Sequence, residues 1–202
     1  MANIQEKIAK LYPEATFEEG NDLLVCIPDS KWHALAKTLK NALGFEFLVT
    51  IVGMDWTDKL GCIYYLKSTV DNEMISVKVT TDDRENPMIH SVHDVWAIAT
   101  TFEREVYDFF GIIFINNPDM RRMFLSIDWK GYPLRKDYDD NPEINPVPKE
   151  NERQEDTTVS YVETEDGKIE KKTINVFEPN DFVVNIGPQH PATHGVLRFR
   201  TA

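Results

Sequence analysis

The sequence predicts an α+β fold: an antiparallel sheet of about four strands with helices on one face, followed by an extended C-terminal tail and a partial β-hairpin. Three strand-like runs, at 45–52, 62–68 and 74–81, are separated by short turns and indicate an antiparallel meander. Two stretches with apolar residues at three- and four-residue steps indicate amphipathic helices, which need an apolar surface to pack against. A sheet with helices on one face satisfies both observations.

The first part of the chain is predicted to supply a short helix before Pro13, a brief strand at 23–27 and a longer helix. Asp29 can cap this longer helix, and Gly44 can end it. Its apolar stripe covers one face of the sheet and consists of Trp32, Leu35, Ala36, Leu39 and Leu43.

A second long helix is predicted from Ser91, where Asp94 completes an approximate capping box, to Gly111. Its apolar stripe consists of Val92, Val95, Trp96, Ala99, Phe102, Val106 and Phe109. Arg104 and Asp108 are four residues apart, so an exposed ion pair is one interpretation of the charges on this helix. A general acid and base made of Glu103 and Glu105 is not favoured, because residues two apart on a helix point about 200° apart.

The composition excludes several classes of function. With 22 basic and 34 acidic side chains the net charge is −12, which repels nucleic acid and anionic lipid. No glycine-rich loop opens a helix after a strand, so nucleotide binding is not supported. The apolar runs 47–54 and 109–115 are too short to span a bilayer, and the first residues lack the apolar core of a signal peptide. We therefore expect a protein of the cytoplasm.

The cysteines predict no metal site. Cys26 and Cys62 each lie alone inside an apolar strand-like run, so we expect two buried thiols and neither a zinc site nor an iron–sulfur cluster.

A locally basic stretch follows the second helix. Residues 118–138 hold five basic and three acidic side chains in an otherwise acidic chain, with tryptophan and proline among them. Such a stretch is typical of a docking surface for a partner protein. The alternative is an irregular segment that its arginines pin to its own domain.

Four motifs resemble a known family. EREVYDFFGIIF at 103–114, NPDMRRMF at 117–124 and DWKGYPLRKDY at 128–138 closely resemble the C subunit of the proton-pumping NADH:quinone oxidoreductase, respiratory complex I. GPQHPATHGVLRF at 187–199 resembles the beginning of the D subunit, the partner that builds the quinone pocket. One departure is Asn117, where the family usually has a histidine before the proline. The order of the motifs resembles a truncated C/D fusion with a C-like domain at 1–138, a linker at 139–176 and a D-like start at 177–202.

The resemblance implies a peripheral-arm subunit that scaffolds the quinone-reducing module on the cytoplasmic side of the bacterial inner membrane. The assembled complex would use FMN, iron–sulfur clusters, NADH and quinone, whereas this chain would bind no cofactor or metal. Implied partners are the B-, D-, I- and G-like subunits, and the membrane is reached only through the complex. Alternatives are a freestanding interaction protein and the homologous subunit of a membrane-bound hydrogenase. The candidate docking residues are Glu103, Arg104, Glu105, Asp108, Arg121, Arg122, Arg135 and Lys136.

The terminal motif carries two histidines whose chemistry suits a quinone. His190 and His194 are four residues apart, but Pro191 and the flanking glycines favour a loop over a metal-binding helix. A histidine can donate a hydrogen bond to a quinone carbonyl and relay a proton. The resemblance assigns this contact to His194, with His190 a looser neighbour. The fragment alone is expected to be inactive.

The stretch between the two parts is predicted to be a linker with little structure. Residues 139–172 hold eleven acidic and five basic side chains and three prolines, so they cannot bury enough apolar surface to offset their chain entropy. Two alternatives to an unstructured linker stay open. Residues 161–164 and 168–173 can pair as a hairpin around Asp166-Gly167, or the segment can lie extended along a neighbouring subunit in an assembly.

Overall fold

The computed structural model describes residues 2–18, 23–126, 128–139 and 157–175, together with two terminal strands at 184–186 and 199–201. Its elements, in chain order, are α1 (Ala2–Leu11), β1 (Thr16–Glu18), β2 (Leu23–Cys26), α2 (Asp29–Asn41), β3 (Phe47–Asp55), β4 (Leu60–Lys67), β5 (Met74–Thr81), β6 (Met88–His90), α3 (Ala99–Phe110), β7 (Ile113–Ile115), β8 (Thr157–Glu163), β9 (Ile169–Asn175), β10 (Val184–Ile186) and β11 (Phe199–Thr201). The α+β class predicted from the sequence is confirmed.

The main sheet has five strands in the order β1-β2-β5-β4-β3. The predicted meander of β3, β4 and β5 is antiparallel, but β2 and β5 run parallel, with Leu23 opposite Ile75. The prediction of about four antiparallel strands is therefore wrong in the strand count and in this one pair. The reason is that α2 carries the chain back before the meander starts, so β5 arrives beside β2 in the same direction.

Both long helices cover the same face of the sheet. On this face Gly53, Cys62 and Val79 lie side by side across three strands. Helix α2 packs there through Trp32, whose ring centroid lies 4.4 Å from that of Tyr64. Helix α3 crosses β3 so closely that a Cβ added to Gly53 would lie 2.5 Å from Phe110 Cδ2. The core lies between this sheet face and the two helices.

Helix α3 begins at Ala99, so the predicted start at Ser91 is wrong. Ser91 donates its hydroxyl to the carboxylate of Glu103 instead of capping a helix, and turns such as Trp96 N–H to Val92 C=O fill the segment up to Ala99. Most of the apolar stripe is still buried, because these turns direct Val92, Val95 and Trp96 into the core, whereas Phe102 and Phe109 are only partly buried. The predicted end is present: Gly111 has a left-handed φ of 70°, which a residue with a Cβ adopts only with strain.

The predicted cap of α2 is also corrected. Asp29 is the first residue of the helix, and its side chain makes no capping hydrogen bond. Its carboxylate instead accepts a hydrogen bond of 2.7 Å from the His90 N–H and lies 2.6 Å from His90 Nδ1. Asp29 therefore joins α2 to β6.

Part of the predicted linker forms a hairpin that packs on the first domain. Strands β8 and β9 pair antiparallel, with Ser160 opposite Lys172, around the turn at Gly167. The backbone N–H of Asn116 donates to the Tyr161 carbonyl at 2.6 Å, and the Met120 N–H donates to the Val159 carbonyl at 2.5 Å. Little structure was predicted for the linker, but the hairpin considered as an exception is present and longer than 161–164 with 168–173. The long-range bonds and the half-buried Tyr161 supply the stabilisation that the local composition lacks.

The terminal strands β10 and β11 pair antiparallel, with Asn185 opposite Arg200. The loop between them, including His190 and His194, lies outside the described residues, as do residues 140–156 of the predicted linker.

Candidate functional site

Helix α3 carries two fully buried carboxylates, Glu103 and Asp108, each at 0% relative exposure. Both belong to the segment that the sequence singled out for docking. They lie five residues apart and accept hydrogen bonds from different chemical groups of the chain.

Asp108 is the centre of a buried ion pair. Its Oδ1 accepts a hydrogen bond of 2.9 Å from Arg122 Nη1. Its Oδ2 accepts three backbone hydrogen bonds, from Met123 at 3.0 Å, Phe124 at 2.6 Å and Leu125 at 3.0 Å. Four donors thus satisfy the carboxylate, and the chain after Arg122 is wrapped around it.

Arg122 is used almost entirely inside the domain. Its guanidinium also donates to the carbonyls of Asp108, Trp129 and Gly131 and lies 5.2 Å from the ring centroid of Tyr132. Only 12% of its side chain is exposed. For Arg122 these contacts favour the alternative in which an arginine pins the irregular segment to its own domain.

This internal clamp positions a partly exposed apolar surface, which we call the aromatic ledge and define as Phe109, Phe124 and Leu134. Phe109 is half-buried, whereas Phe124 and Leu134 are exposed. The rings of Phe109 and Phe124 stack at 5.5 Å, and the Leu134 N–H donates to the Phe109 carbonyl at 3.1 Å. Phe124 is 60% exposed and Leu134 is 56% exposed. The two stacked rings therefore form an apolar patch, and a backbone hydrogen bond fixes the chain at Leu134 next to Phe109.

The expected ion pair between Arg104 and Asp108 is not formed. Arg104 Nη1 lies 3.3 Å from Asp119 Oδ2, and the guanidinium also donates to the carbonyls of Arg121 and Arg122. Arg121 binds the same Asp119 at 2.8 Å. Helical spacing suggested the wrong partner for Arg104, because the chain after Pro118 returns alongside α3 with better-placed acceptors.

A third clamp fixes the end of the basic stretch to the sheet. Asp55 at the end of β3 accepts two hydrogen bonds from Arg84, at 2.7 Å and 3.0 Å, and one from the Lys136 N–H at 3.0 Å. The hydrogen bonds from Arg84 hold the pKa of Asp55 well below its ordinary range. Arg135 donates to the Phe110 and Arg84 carbonyls and lies 4.8 Å from the centroid of the Tyr132 ring.

Glu103 lies in a different environment from Asp108. Its carboxylate accepts hydrogen bonds from Ser91 Oγ at 2.6 Å, the Val92 N–H at 3.0 Å and Asn117 Nδ2 at 2.7 Å. All three donors are neutral. Burial raises the pKa of Glu103 to about 7, and these hydrogen bonds oppose the rise only in part.

The structure thus brings most of the predicted docking residues into one region beside α3. Their side chains bind other groups of the same chain there. Glu105 is exposed, and Lys136 Nζ reaches Thr57 Oγ1 at 3.0 Å on the surface. Docking by any of these residues stays a prediction. The quinone contacts assigned to His190 and His194 lie outside the described residues.

The two cysteines differ in burial. Cys62 is fully buried, as predicted, and burial raises the pKa of its thiol. Cys26 is only partly buried, because it lies on the open face of the sheet, where its thiol donates to Glu18 at 3.1 Å. Among the described residues no group of three or more His, Cys, Asp or Glu side chains could hold a metal ion.

Sequence reasoning missed four residues of these clusters: Asp55, Arg84, Ser91 as a carboxylate partner, and Asn117. Three of them act over long sequence separations and have no local signature. In the sequence, Asn117 stood out only as a departure from the family pattern. Its position before Pro118, just after an apolar run, was the one local sign that its side chain has a structural role.

Comparison with known proteins places these features in a family. The sequence pattern described as "Respiratory-chain NADH dehydrogenase, 30 Kd subunit" matches residues 25–143. The C/D subunit of the NADH-quinone oxidoreductase of Phocaeicola vulgatus is 48% identical over 178 residues, which are 87% of this chain and 34% of that protein. The C subunit of the NADH-quinone oxidoreductase of Moorella thermoacetica is 33% identical over 141 residues, or 68% of this chain and 95% of that one. The chain thus spans about one third of the length of the C/D relative it matches.

The fold is shared with a chain of a solved archaeal complex, the membrane-bound sulfane sulfur reductase. The two superpose with a TM-score of 0.62 at 24% identity, over 77% of this chain and 96% of that chain. No helix in the described ranges is long and apolar enough to cross a membrane.

Proposed function

Because the chain belongs to the family of the respiratory-chain NADH dehydrogenase 30 kDa subunit, we propose that it is a scaffold subunit of an NADH:quinone oxidoreductase. In this proposal the C-like domain binds neighbouring subunits and carries no redox group. FMN, iron–sulfur clusters and the NADH site belong to other subunits of the assembled complex. The complex holds the chain at the cytoplasmic side of the bacterial inner membrane.

The observation that carries the scaffold role is the aromatic ledge. Aromatic side chains that are rigidly held and exposed before binding dominate the energy of many protein interfaces, since little entropy is lost when they dock. Phe124 meets this description, because its own N–H and those of its two neighbours are fixed by Asp108. In the isolated domain, the buried pair of Asp108 and Arg122 holds the Phe124 ring in contact with water, which gives no evident gain in stability. If a partner protein covers the Phe124 ring, the same arrangement favours binding.

The partner proposed for this surface is another subunit of the same complex, with the B-, D-, I- and G-like subunits as the candidates that the family resemblance names. The ledge is apolar, and the stretch that carries two of its three residues is locally basic. The arginines of this stretch are engaged inside the domain, so the feature expected of a complementary surface is an apolar pocket that takes up Phe124 and Leu134.

The quinone contact is a further part of the proposal and concerns the D-like segment. The names of the C/D relatives support a D-like continuation of the chain. In it, His194 would donate a hydrogen bond to a quinone carbonyl as negative charge develops, with His190 nearby in the same loop. The rest of the quinone pocket would come from beyond this sequence.

The docking proposal is tested by the paired change Phe124→Ala and Leu134→Ser. We expect the purified chain to melt within a few degrees of the parent, since both side chains are more than half exposed. Co-purification with the co-expressed B-, D-, I- and G-like subunits should fall at least tenfold. The matched control is Val70→Ser on the β4–β5 turn, which removes a side chain that is 86% exposed and distant in sequence from the ledge. Undiminished co-purification of the ledge variant would refute the docking role.

The quinone proposal is tested by His194→Ala in the complete oxidoreductase. We expect quinone reduction to fall by about tenfold to a thousandfold, as is typical when a donor to a developing negative charge is lost. Oxidation of NADH by an artificial acceptor that takes electrons before the quinone site should continue. His190→Ala should have a milder effect. Unchanged quinone reduction in the His194 variant would exclude the contact.

The second candidate is the homologous subunit of a membrane-bound hydrogenase, which would use ferredoxin or hydrogen instead of NADH. The fold alone does not separate the two, because it is shared with a chain of a different reductase complex. The sequence identity favours NADH: the C/D relatives are 46–48% identical to this chain, whereas the reductase chain is 24% identical. Reduction of the assembled complex by NADH, compared with reduced ferredoxin or hydrogen, separates the alternatives.

A further inference from the structure

Glu103 is a buried acid that the scaffold role does not use. The side chain has 0% exposure, yet its three hydrogen-bond donors, Ser91, Val92 and Asn117, carry no charge. Within the described part of the chain, none of the ion pairs involves Glu103. A carboxylate removed from water without a cation is strongly disfavoured in its charged form.

The charged and titratable groups around Glu103 do not compensate for its burial. Asp94, in the turn segment before α3, adds a negative charge that disfavours the carboxylate. Cys62 and Tyr64 on β4 are fully buried; burial, and to a lesser degree the charge on Glu103, raises the pKa of both groups. Arg104, the next residue of the helix, turns to Asp119. Apart from the imidazole of His93, which reaches Glu103 only through Ser91, none of these described neighbours brings a cationic group to the carboxylate. Burial raises the pKa of Glu103 to about 7.

The cluster can hydrogen-bond Glu103 in both of its charge states. Ser91 Oγ donates to the carboxylate at 2.6 Å, and its hydroxyl can rotate so that its oxygen accepts a hydrogen bond from the O–H of the neutral acid instead. In that orientation the Ser91 hydroxyl donates to His93 Nδ1, which lies 3.2 Å from Oγ. His93 is partly exposed, so two hydrogen-bonded links connect the buried carboxyl group to water.

We propose that Glu103 is a proton-binding site of the folded domain, which exchanges its proton with water through the hydroxyl of Ser91 and the imidazole of His93. On release, a proton leaves Glu103 Oε2 for Ser91 Oγ, and the hydroxyl proton of Ser91 passes to His93 Nδ1, which then loses a proton to water. Uptake reverses these steps, and no electrons are transferred. The proposal is independent of the docking and quinone roles.

The site lies at a junction of three segments. Glu103 on α3 is bonded to residues 91–92 and to Asn117, while the adjacent Asn116 N–H bonds the β8 strand at Tyr161. Loss of the proton leaves a buried negative charge at this junction. The stability of the domain should therefore depend on pH through Glu103.

The direction of this dependence follows from linkage. A folded-state pKa of about 7 lies above the ordinary glutamate value near 4.5, so the folded protein binds the proton more tightly than the unfolded chain. The stabilisation is complete below the unfolded pKa and is lost as pH rises through the folded pKa.

The experiment compares unfolding by urea between pH 5 and pH 8 for the parent chain, Glu103→Gln and Glu105→Gln. The control removes the same charge two residues away on the exposed side of α3. We expect the unfolding equilibrium constant of the parent, divided by that of the Glu103 variant, to rise on the order of a hundredfold over this range. The ratio of the parent to the Glu105 variant should stay nearly constant. If the unfolding free energies of the parent and of the Glu103 variant change with pH in parallel, the proposal is overturned.

A second measurement keeps the proposal testable if the Glu103 variant does not fold. The side-chain carboxyl resonances of the parent chain, labelled with ¹³C-glutamate, are followed from pH 3 to pH 9. One glutamate should titrate near neutrality, with its shift resolved from the others, and Asn117→Leu should move that midpoint upward by removing a donor to the carboxylate. If every glutamate titrates near its ordinary value, Glu103 is not a proton-binding site.

Discussion

Asp108 and Glu103 lie on one helix, are equally buried and differ chiefly in what they bind. Asp108 binds the guanidinium of Arg122 and three backbone N–H groups, whereas Glu103 binds a hydroxyl, one backbone N–H and an amide. A buried carboxylate that binds a guanidinium and three backbone N–H groups holds a loop in place. A buried carboxylate with neutral donors is poised to accept a proton.

The comparison shows how one helix supports two kinds of site. The Asp108 side of α3 is rigid and presents the aromatic ledge, while the Glu103 side joins three segments of the domain through a titratable group. Changes to the partners of each carboxylate should therefore differ in size and in pH dependence. Two changes, at Arg122 and Asn117, test this contrast. A third change, at Glu163, measures for comparison a partly exposed pair away from α3. The expected effects decrease in this order.

Arg122→Ala should destabilise the domain most. It leaves the fully buried Asp108 carboxylate without its cation, which typically costs about 3–5 kcal/mol of unfolding free energy. Urea unfolding at pH 7 measures the loss. The docking interpretation taken alone expects changes at Arg122 to leave the domain folded, so this experiment also decides between the docking and pinning interpretations.

The control for Arg122 is Lys37→Ala. Lys37 Nζ lies 3.2 Å from Asp94 Oδ2, but both side chains are largely exposed, at 51% and 41%. Such a pair contributes about 0–1 kcal/mol. Equal losses for the two variants would show that burial does not distinguish these ion pairs.

Asn117→Leu should have an intermediate effect that depends on pH. The change removes a donor to Glu103, so the pKa of Glu103 rises further above its unfolded value. At pH 5 the acid is neutral in either protein, and the loss reflects packing and the lost contact with the Asp119 N–H. At pH 8 the unpaired charge should add about 1–3 kcal/mol to that loss. A loss of equal size at both pH values would contradict a titrating Glu103.

Glu163→Gln should have the smallest effect. Glu163 Oε2 lies 3.3 Å from His90 Nε2, and the side chains are 42% and 30% exposed, respectively. Hydrogen bonding to Asp29, and secondarily to Glu163, raises the pKa of His90 to about 9. The stabilisation is thus complete below the ordinary histidine value near 6.5 and is lost as pH rises through about 9.

The Glu163 variant should accordingly lose less than about 1 kcal/mol at pH 6 and nothing measurable at pH 10. Amide exchange in β8 reports whether the hairpin opens. A larger loss at pH 10 than at pH 6 would exclude His90 as the charged partner.

The elements that could be predicted from the sequence are those with a local pattern. The β3–β5 meander and the apolar stripe of α2 follow from alternation and helical spacing, and Gly111 ends α3 as expected. The parallel pairing of β2 with β5 joins distant segments, and nothing in either strand specifies its neighbour. The start of α3 was misplaced because Ser91 has the appearance of a cap, although its hydroxyl serves Glu103 twelve residues away.

The candidate site shows the same limit. The basic stretch and the acidic residues of α3 were recognised as important, but the pairs Arg122 with Asp108 and Arg84 with Asp55 depend on the return path of the chain. Charge alone suggested a surface that faces a partner. The burial of Arg122 favours the pinning interpretation for this residue, and docking by Arg122 stays a prediction. The surface proposed for docking is the aromatic ledge that Arg122 supports.

The central claim, that the chain is a scaffold whose ledge docks onto other subunits, is tested most directly in membranes that contain the complete oxidoreductase. The amount of assembled complex and the NADH:quinone activity per assembled complex are measured for the parent and for the paired Phe124→Ala and Leu134→Ser variant. A scaffold predicts that the amount of complex falls several-fold, while the activity of each complex that does assemble stays at the parent value. Normal assembly combined with lower activity per complex would contradict the account and would give this surface a role in electron transfer or quinone chemistry.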